Sequence, residues 1–214
     1  MEYAIFDMDG TLIDSMPAWH RLGEDYLRAK GITPPEDLHE QIKAMTMLEC
    51  GEYARALGVP GTAAQIAGEL TAQIERQYRE LIPAREGVKE YLSRCRSAGV
   101  RMCVATATDS ALANQCLTRL GLLGYFEFLV SCEDIGKTKT SPDIYLLAAE
   151  RLGARPSECV VFEDVLYPAE TAARAGFPVA GVYDPASGEG NAQSLRAFCG
   201  AFIEDWRTAA FPPL

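Results

Sequence analysis

Histidine and basic residues are scarce in this sequence of 214 residues. Its two histidines, His20 and His39, form no His-Glu-x-x-His motif, which excludes a zinc hydrolase of that type. We expect both to be surface or packing residues. Lysine and arginine number 20 against 30 acidic residues, which gives a formal net charge of −10. Because nucleic-acid binding needs a basic surface, we expect no nucleic-acid partner.

Long apolar runs and paired cysteine motifs are also missing. No apolar run approaches the roughly 18 residues that span a membrane, so no membrane partner is expected. The N-terminus has no charged lead-in and no cleavage site, so no secretory signal is expected. The seven cysteines are scattered, odd in number and free of Cys-x-x-Cys spacing. This usage predicts buried, reduced thiols in a cytoplasmic protein.

What the sequence does contain is an alternation of short apolar runs and helical patterns. Its 48 % hydrophobic and 23 % charged residues are typical of a globular protein. Strands are predicted at residues 3–7, 101–106, 128–131, 159–163 and 179–182, with a weaker one at 201–203. Helices are predicted at 88–98, 110–120, 143–152 and 169–175, each followed by a glycine. The alternation predicts an α/β protein with a doubly wound, Rossmann-like parallel sheet.

One region interrupts this alternation. From residue 15 to residue 83 no strand pattern occurs, and helices are predicted at 18–30, 38–45, 48–57 and 63–81. The chain is therefore expected to form a core from residues 1–14 and 84–214, with a helical domain of residues 15–83 inserted into it. The two segments in which the chain passes between the core and the inserted domain should form a two-stranded linker.

Two carboxylates, Asp7 and Asp9, follow the first predicted strand one residue apart. Alternate residues of a strand point to the same side, so both can share one site as the strand ends. Two anionic side chains so close need a cation, a shared proton or separate chemical roles. The pair therefore suggests a metal-assisted reaction at the carboxyl end of a strand.

Other polar side chains end the neighbouring predicted strands. Thr106, Ala107 and Thr108 follow the second strand, and the loop after the third contains two lysines. The pair Glu163 and Asp164 ends the fourth. Ligands of open parallel sheets bind outside the carboxyl ends of the strands, so these groups should converge on one edge.

These strand ends resemble the motifs of the haloacid dehalogenase superfamily of phosphohydrolases. The four matching segments, in chain order, are Asp-Met-Asp-Gly-Thr at 7–11, Thr106, Lys139 three residues before Pro142, and Glu163-Asp164. The inserted helical domain resembles the α-helical cap domain of the subgroup with beta-phosphoglucomutase-like and phosphoglycolate-phosphatase-like enzymes. The resemblance covers nearly the whole chain.

The resemblance implies a catalytic role for each matching residue. Asp7 would attack the phosphoryl group and form an aspartyl-phosphate. Asp9 would protonate the leaving oxygen and then take a proton from the hydrolytic water. Thr106 would hold the phosphoryl oxygens, and Lys139 would neutralise their charge and keep Asp7 ionised. A metal and a lysine beside Asp7 should both depress its pKa.

The resemblance also implies a cofactor, Mg²⁺, which favours hard oxygen ligands. The Asp7 carboxylate, the Asp9 backbone carbonyl and Asp164 would hold it, and Glu163 would orient a metal-bound water. The residues implied for substrate binding are Gly10, Ala107, Thr108, Trp19 and Met47.

The same residues also have structural interpretations. Asp7 and Asp9 could cap a loop, and Glu163 and Asp164 could cap the next helix. Lys137 competes with Lys139 for the role of the active-site lysine. In the helical domain Met16, Trp19, Met45 and Met47 could be core residues, of which Trp19 and Met47 are expected to face the substrate.

Two departures from the family pattern bear on function. Trp19 stands where relatives near beta-phosphoglucomutase carry a cap histidine, and Met47 where they carry an arginine that binds a second phosphate. A mutase must hold a bisphosphate, so the missing cation argues against that activity. Val165 and Pro168 stand where many relatives have serine and glycine, which argues against an additional metal contact from position 165 and leaves the two acids intact.

The sequence therefore predicts a cytoplasmic, Mg²⁺-dependent phosphatase of a small phosphorylated metabolite, such as a sugar phosphate. The expected state is a monomer or weak dimer. The alternatives are a sugar-phosphate mutase and a catalytically idle binding or regulatory protein on the same fold. Retention of both Asp7 and Asp9 argues against the idle protein, and Asp9 favours phosphoryl chemistry over carbon–halogen cleavage.

Overall fold

The structure is a computed structural model that describes residues 1–42 and 45–213. Its contacts divide the chain into two compact units. One unit, here called the core, is Met1–Asp14 together with the chain from Pro83 onward; the other, the helical unit, is Ser15–Ile82. The predicted domains placed the second boundary one residue later, after 83.

The core contains one sheet of six parallel strands. The strands are β1 (Tyr3–Phe6), β2 (Arg101–Thr106), β3 (Leu129–Ser131), β4 (Cys159–Glu163), β5 (Val179–Val182) and β6 (Ala201–Ile203), in the spatial order β3-β2-β1-β4-β5-β6. The predicted α/β class and the doubly wound parallel sheet are confirmed.

The described residues of the helical unit form four α-helices, α1 (Met16–Ala29), α2 (Leu38–Ile42), α3 (Met47–Ala56) and α4 (Ala63–Arg76), and a π-helical turn at Gln77–Leu81. Thr46 with Glu49 and Thr62 with Gln65 form capping boxes, which satisfy the free N–H groups at the starts of α3 and α4. The predicted helix 38–45 is observed over Leu38–Ile42, and its residues 43 and 44 lie outside the described residues.

Six further α-helices connect the strands of the core: α5 (Val88–Ser97), α6 (Ser110–Arg119), α7 (Cys132–Ile135), α8 (Asp143–Leu152), α9 (Leu166–Arg174) and α10 (Glu189–Phe198). The sequence prediction missed α7, which has only four residues, and α10, whose first turn contains Gly190, a poor helix former. It also started α9 three residues late, at residue 169, although proline is tolerated in a first turn and Pro168 lies in the first turn of this helix.

Alternating side chains of the strands build one core on each face of the sheet. Ile5 of β1 and Val161 of β4 join one buried cluster, which includes Tyr145 of α8. On the other face Phe6 stacks on Phe162 with the ring centroids 4.3 Å apart. Burial on both faces explains why these strands are nearly continuous in apolar residues.

The order of the strands determines where a ligand can bind. From β1 the chain proceeds to β2 and β3 on one side, and then crosses to β4 on the other side of β1. In doubly wound sheets this reversal opens a crevice at the carboxyl ends of the two central strands. The crevice lies where β1 runs into Asp7 and where β4 ends at Glu163.

The helical unit contains an apolar cavity of about 520 Å³. Trp19, Met45 and Met47 are among the residues that line it. Trp19 also donates a hydrogen bond to the hydroxyl of Tyr78 at 2.9 Å. Among the described residues, no helix of either unit combines the length and the apolar character needed to cross a membrane.

Candidate active site

Asp7 lies at the centre of a buried polar cluster at the carboxyl edge of the sheet. Its backbone N–H donates to the Phe162 carbonyl at 3.0 Å, which fixes it beside the end of β4. Its Oδ1 accepts a hydrogen bond from the ammonium of Lys139. Its Oδ2 is buried and, within the described part of the chain, has no hydrogen-bond partner. A buried carboxylate oxygen without a donor is unfavourable unless a ligand contacts it.

Lys139 is the buried cation of this cluster. It precedes α8, is 5 % exposed, and donates to Oε1 of Glu163 at 2.7 Å as well as to Asp7. The competing Lys137 is exposed. The burial of Lys139 and the exposure of Lys137 agree with the spacing to Pro142, which already favoured Lys139. Tyr145 of α8 donates to the same Glu163 oxygen at 2.6 Å.

Asp164, directly after β4, is held by hydrogen bonds to its side chain and to its backbone. Thr11 donates to its Oδ1 at 3.2 Å, and Asn191 of α10 donates to its carbonyl oxygen at 2.7 Å. Gly10 has a positive φ of 79°, and a Cβ at this position would collide with the Asp164 carboxylate. Glycine is therefore required for Asp164 to approach the loop after β1 this closely.

Three of these carboxylates are arranged so that a metal ion could bind. Asp7, Glu163 and Asp164 each offer one oxygen, and the three oxygens lie within 4.8 Å of one another. All three residues are buried. Carboxylate oxygens suit a hard divalent cation, and the unpartnered Oδ2 of Asp7 provides a free ligand atom. These residues fit a divalent cation well.

The pKa values of the buried groups also indicate that this cluster needs an additional cation. Burial raises the pKa of Asp7 to about 7; Lys139 opposes this rise, while Glu163 and Asp9 add to it. Burial, together with the charges of Asp7 and Glu163, raises the pKa of Asp164 well above its usual value. Burial alone would lower the pKa of Lys139, but Asp7 and Glu163 hold it well above the usual range. The predicted lowering of the Asp7 pKa is therefore not achieved by Lys139 alone, and it would require an additional cation.

Asp9 and the residues after β2 form a second group. Thr108 donates to Oδ2 of Asp9 at 2.7 Å, and its backbone N–H donates to the hydroxyl of Thr106 at 3.0 Å. Ser131, at the end of β3, donates to the carbonyl of Thr108 at 2.8 Å. These contacts fix the loop after β2, whose residue Ala107 is exposed. Thr106 is buried, although its hydroxyl is predicted to hold the phosphoryl oxygens.

The structure thus brings together the predicted residues Asp7, Lys139, Glu163 and Asp164, with Gly10 beside them. Trp19 and Met47 both line the cavity of the helical unit. Glu163 and Asp164 do not cap α9: its N-cap is Val165, which makes no side-chain capping bond.

Sequence reasoning missed four polar residues near this cluster. Tyr145 was concealed within a helical pattern, and Arg85 lies in the segment that leads into α5. Asp184 and Ser187 follow β5, and Asp184 is buried. The rule that ligand-binding groups follow strands could have identified Asp184, since it comes two residues after β5.

Comparison with known proteins identifies the family. The family model of haloacid dehalogenase-like hydrolases matches residues 1–176. The chain belongs to this family. The predicted resemblance to this family is confirmed.

This haloacid dehalogenase-like hydrolase is similar to three known proteins in particular. A phosphorylated carbohydrates phosphatase of Thermotoga maritima is 34 % identical over 181 residues, covering 82 % of each chain. Hexitol phosphatase A of Escherichia coli is 34 % identical over 187 residues, covering 85 % of this chain and 83 % of its own. A solved Thermotoga maritima protein, described as a candidate beta-phosphoglucomutase, is 29 % identical with a TM-score of 0.82, covering 97 % of this chain and 95 % of that one. The prediction of an enzyme of the phosphatase type is confirmed.

Proposed function

We propose that this protein is a Mg²⁺-dependent phosphatase that hydrolyses a phosphorylated carbohydrate through an aspartyl-phosphate on Asp7. The observation that carries the proposal is the buried cluster of Asp7, Glu163 and Asp164, in which Lys139 pairs with Asp7 and Glu163. Three acids against one cation leave the cluster negative when all are ionised. Such a site favours a divalent cation and disfavours an anionic substrate unless that cation is present.

Asp7, Asp164 and the Asp9 carbonyl would hold Mg²⁺, with Glu163 beside them. When bound, Mg²⁺ supplies positive charge to the phosphoryl oxygens and lowers the pKa of the carboxylates that contact it. Phosphoryl transfer depends mainly on positioning and charge neutralisation, which suits this set of groups. Lys139 would add a second positive charge on the opposite oxygen of Asp7.

The reaction would proceed in two displacements. A carboxylate oxygen of Asp7 attacks phosphorus, the bond between phosphorus and the ester oxygen breaks, and Asp9 gives its proton to the leaving alcohol. Water then attacks the same phosphorus, Asp9 takes a proton from it, and the bond to Asp7 breaks. Inorganic phosphate leaves, and both carboxylates return to their first state. The Thr108 hydrogen bond would orient Asp9 for both transfers.

The substrate class comes from the relatives. Two curated relatives at 34 % identity are named as phosphatases of phosphorylated carbohydrates and of hexitol phosphates. We extend that class to this chain and assign substrate binding to Gly10, Ala107, Thr108, Trp19 and Met47. A mutase is the second candidate, because a structural neighbour is described as a candidate beta-phosphoglucomutase. Trp19 and Met47 offer no cation for a second phosphate, which favours hydrolysis.

A panel of sugar phosphates, hexitol phosphates and an activated aryl phosphate, assayed for phosphate release, tests the proposal. We expect release from at least one carbohydrate phosphate in Mg²⁺ and a loss of release in excess chelator. Release from no phosphomonoester would refute the phosphatase assignment. Equal release in chelator would refute the metal role of Asp164, and isomerised sugar phosphate without free phosphate would indicate the mutase.

A further inference from the structure

A chain of hydrogen bonds leads from Asp164 to a second buried acid. Ser187, in the short turn Pro185–Ser187 after β5, has its hydroxyl 3.4 Å from Oδ2 of Asp164 and 2.9 Å from Oδ2 of Asp184. Asp184 is 1 % exposed and Asp164 is 2 % exposed. Two acids are therefore buried on either side of one hydroxyl group.

Asp184 has its own set of donors. Its Oδ1 accepts from Nη1 of Arg85 at 3.1 Å and from the N–H of Ala186 at 3.4 Å, and its Oδ2 accepts from the N–H of Ser187 at 3.1 Å. The Asp184 side chain is fully buried, and that of Arg85 is 15 % exposed. A buried carboxylate is tolerated when a paired cation and hydrogen bonds satisfy it, as they do here.

Arg85 connects this acid to the loop that follows β1. Its Nη1 also donates to the Gly10 carbonyl at 2.8 Å, and its Nη2 donates to the Tyr183 carbonyl at 2.5 Å. Its backbone N–H donates to the Leu12 carbonyl at 3.0 Å. The guanidinium fork thus joins the loop after β1 to the loop after β5 with a fixed geometry.

The hydroxyl of Ser187 has one proton and two carboxylates within reach. Asp184 already receives three donors, from Arg85, Ala186 and the Ser187 backbone. The Ser187 hydroxyl lies within hydrogen-bond distance of both carboxylates, and apart from it Asp164 receives one side-chain donor, from Thr11, in the described chain.

We propose that Ser187 and Asp184 are positioning residues for Asp164, with Arg85 as their anchor, and that they set the affinity of the site for a divalent cation. The proposal rests on the proposed function, because it takes Asp164 as a metal ligand. Partners that hydrogen-bond a ligating carboxylate fix its orientation before the metal arrives. Loss of such a partner typically weakens metal affinity by about 10- to 100-fold.

The test measures binding of Mg²⁺ alone, without substrate. The Kd is obtained by titration calorimetry and from the rise of Tm with Mg²⁺ concentration. We expect Ser187→Ala and Asp184→Asn to raise the Kd by about 10-fold or more, and Ser187→Thr, which keeps the hydroxyl, to stay within about threefold of the original protein. In turnover assays the Mg²⁺ concentration for half-activation should rise in parallel, while kcat at saturating Mg²⁺ changes less.

Ser194→Ala is the matched control, because Ser194 of α10 is half-buried and donates only to the Gly190 carbonyl within the described chain. It should leave the Kd unchanged. A lower Tm with an unaltered Kd in both Ser187→Ala and Asp184→Asn would overturn the inference, since that pattern marks a purely structural role. Asp164→Asn distinguishes the two levels: if it abolishes Mg²⁺ binding while the other variants bind normally, the inference fails and the proposed function stands. If the original protein binds no Mg²⁺, both fail.

Discussion

The carboxyl edge of the sheet and the helical unit bury very different groups. At the edge, Asp7, Glu163 and Asp164 are buried with Lys139, which donates hydrogen bonds to Asp7 and Glu163. In the helical unit, the cavity of about 520 Å³ is lined mainly by apolar and aromatic side chains. A charged cluster permits few chemistries, whereas an apolar cavity selects by shape and tolerates exchange of one side chain for another. The edge should therefore determine the reaction, and the helical unit should affect preference among substrates.

The largest expected effect comes from Asp7→Asn. The amide has the size of the carboxylate but is a poor nucleophile, so we expect kcat to fall by at least about 10⁴-fold. Steady-state phosphate release in saturating Mg²⁺ measures this loss, with circular dichroism as the control for folding. Full turnover in the variant would show that another group attacks phosphorus.

The same glycine substitution in each unit sharpens the contrast. Gly10→Ala places a Cβ against the Asp164 carboxylate at a positive φ, so both Mg²⁺ affinity and kcat should fall, by about 100-fold or more in kcat. Gly51→Ala places a Cβ against the backbone of Ala63 within the helical unit. It should lower stability by about 1–3 kcal/mol and leave the Kd for Mg²⁺ unchanged. Titration calorimetry on both variants measures the Kd for Mg²⁺. If Gly51→Ala weakened Mg²⁺ binding as much as Gly10→Ala, the contrast between the two units would be wrong.

The two lysines before α8 provide a matched pair. Lys139→Met removes the buried cation between Asp7 and Glu163, and we expect kcat to fall by about 10²- to 10³-fold. Lys137→Met removes an exposed cation two residues away and should leave kcat within about twofold. Assays under identical Mg²⁺ conditions test the pair, and equal losses in both variants would contradict the assignment.

Burial of Asp7 should be visible in the pH dependence of stability. Burial raises the pKa of Asp7 from its usual 3.8 to about 7 in the folded protein. Between these two pH values the folded state therefore binds more protons than the unfolded state. In Mg²⁺-free buffer, this residue's contribution to stability should therefore fall as pH rises from about 4 to 7, by on the order of a few kcal/mol. The difference between the original protein and Asp7→Asn isolates the effect in urea titrations at several pH values. A difference that stays constant with pH would contradict the raised pKa.

The smallest effect is expected from Trp19→Ala in the helical unit. Loss of one aromatic wall should change KM by about 2- to 10-fold, and by different factors for different carbohydrate phosphates, while kcat for an activated aryl phosphate stays close to normal. Kinetic constants on three substrates provide the measurement. A large loss of kcat on every substrate would show that Trp19 takes part in the reaction itself and does not act on substrate preference.

The sequence predicted most of the core because its signals are local. Asp7 follows β1 and Glu163 ends β4, and strands buried on both faces are recognised in a sequence as apolar runs. Lys139 was predicted from its spacing to Pro142, and the structure adds that Lys139 is buried whereas Lys137 is exposed. Arg85 and Ser187 lie in a linker and a turn without periodicity, and their contacts depend on how distant loops meet. Helix α10 was missed because glycine weakens its first turn.

Direct detection of the phosphorylated residue tests the central claim. An Asp9→Ala variant acting on an aryl phosphate needs no proton for its leaving group but lacks the base that activates water, so phosphorylated Asp7 should accumulate. Reduction of the quenched enzyme with borohydride would convert the phosphorylated aspartate to homoserine, which peptide mass spectrometry locates. We predict homoserine at position 7, formed only when Mg²⁺ and the aryl phosphate are both present. Turnover without modification of Asp7, or with modification elsewhere, would contradict the claim.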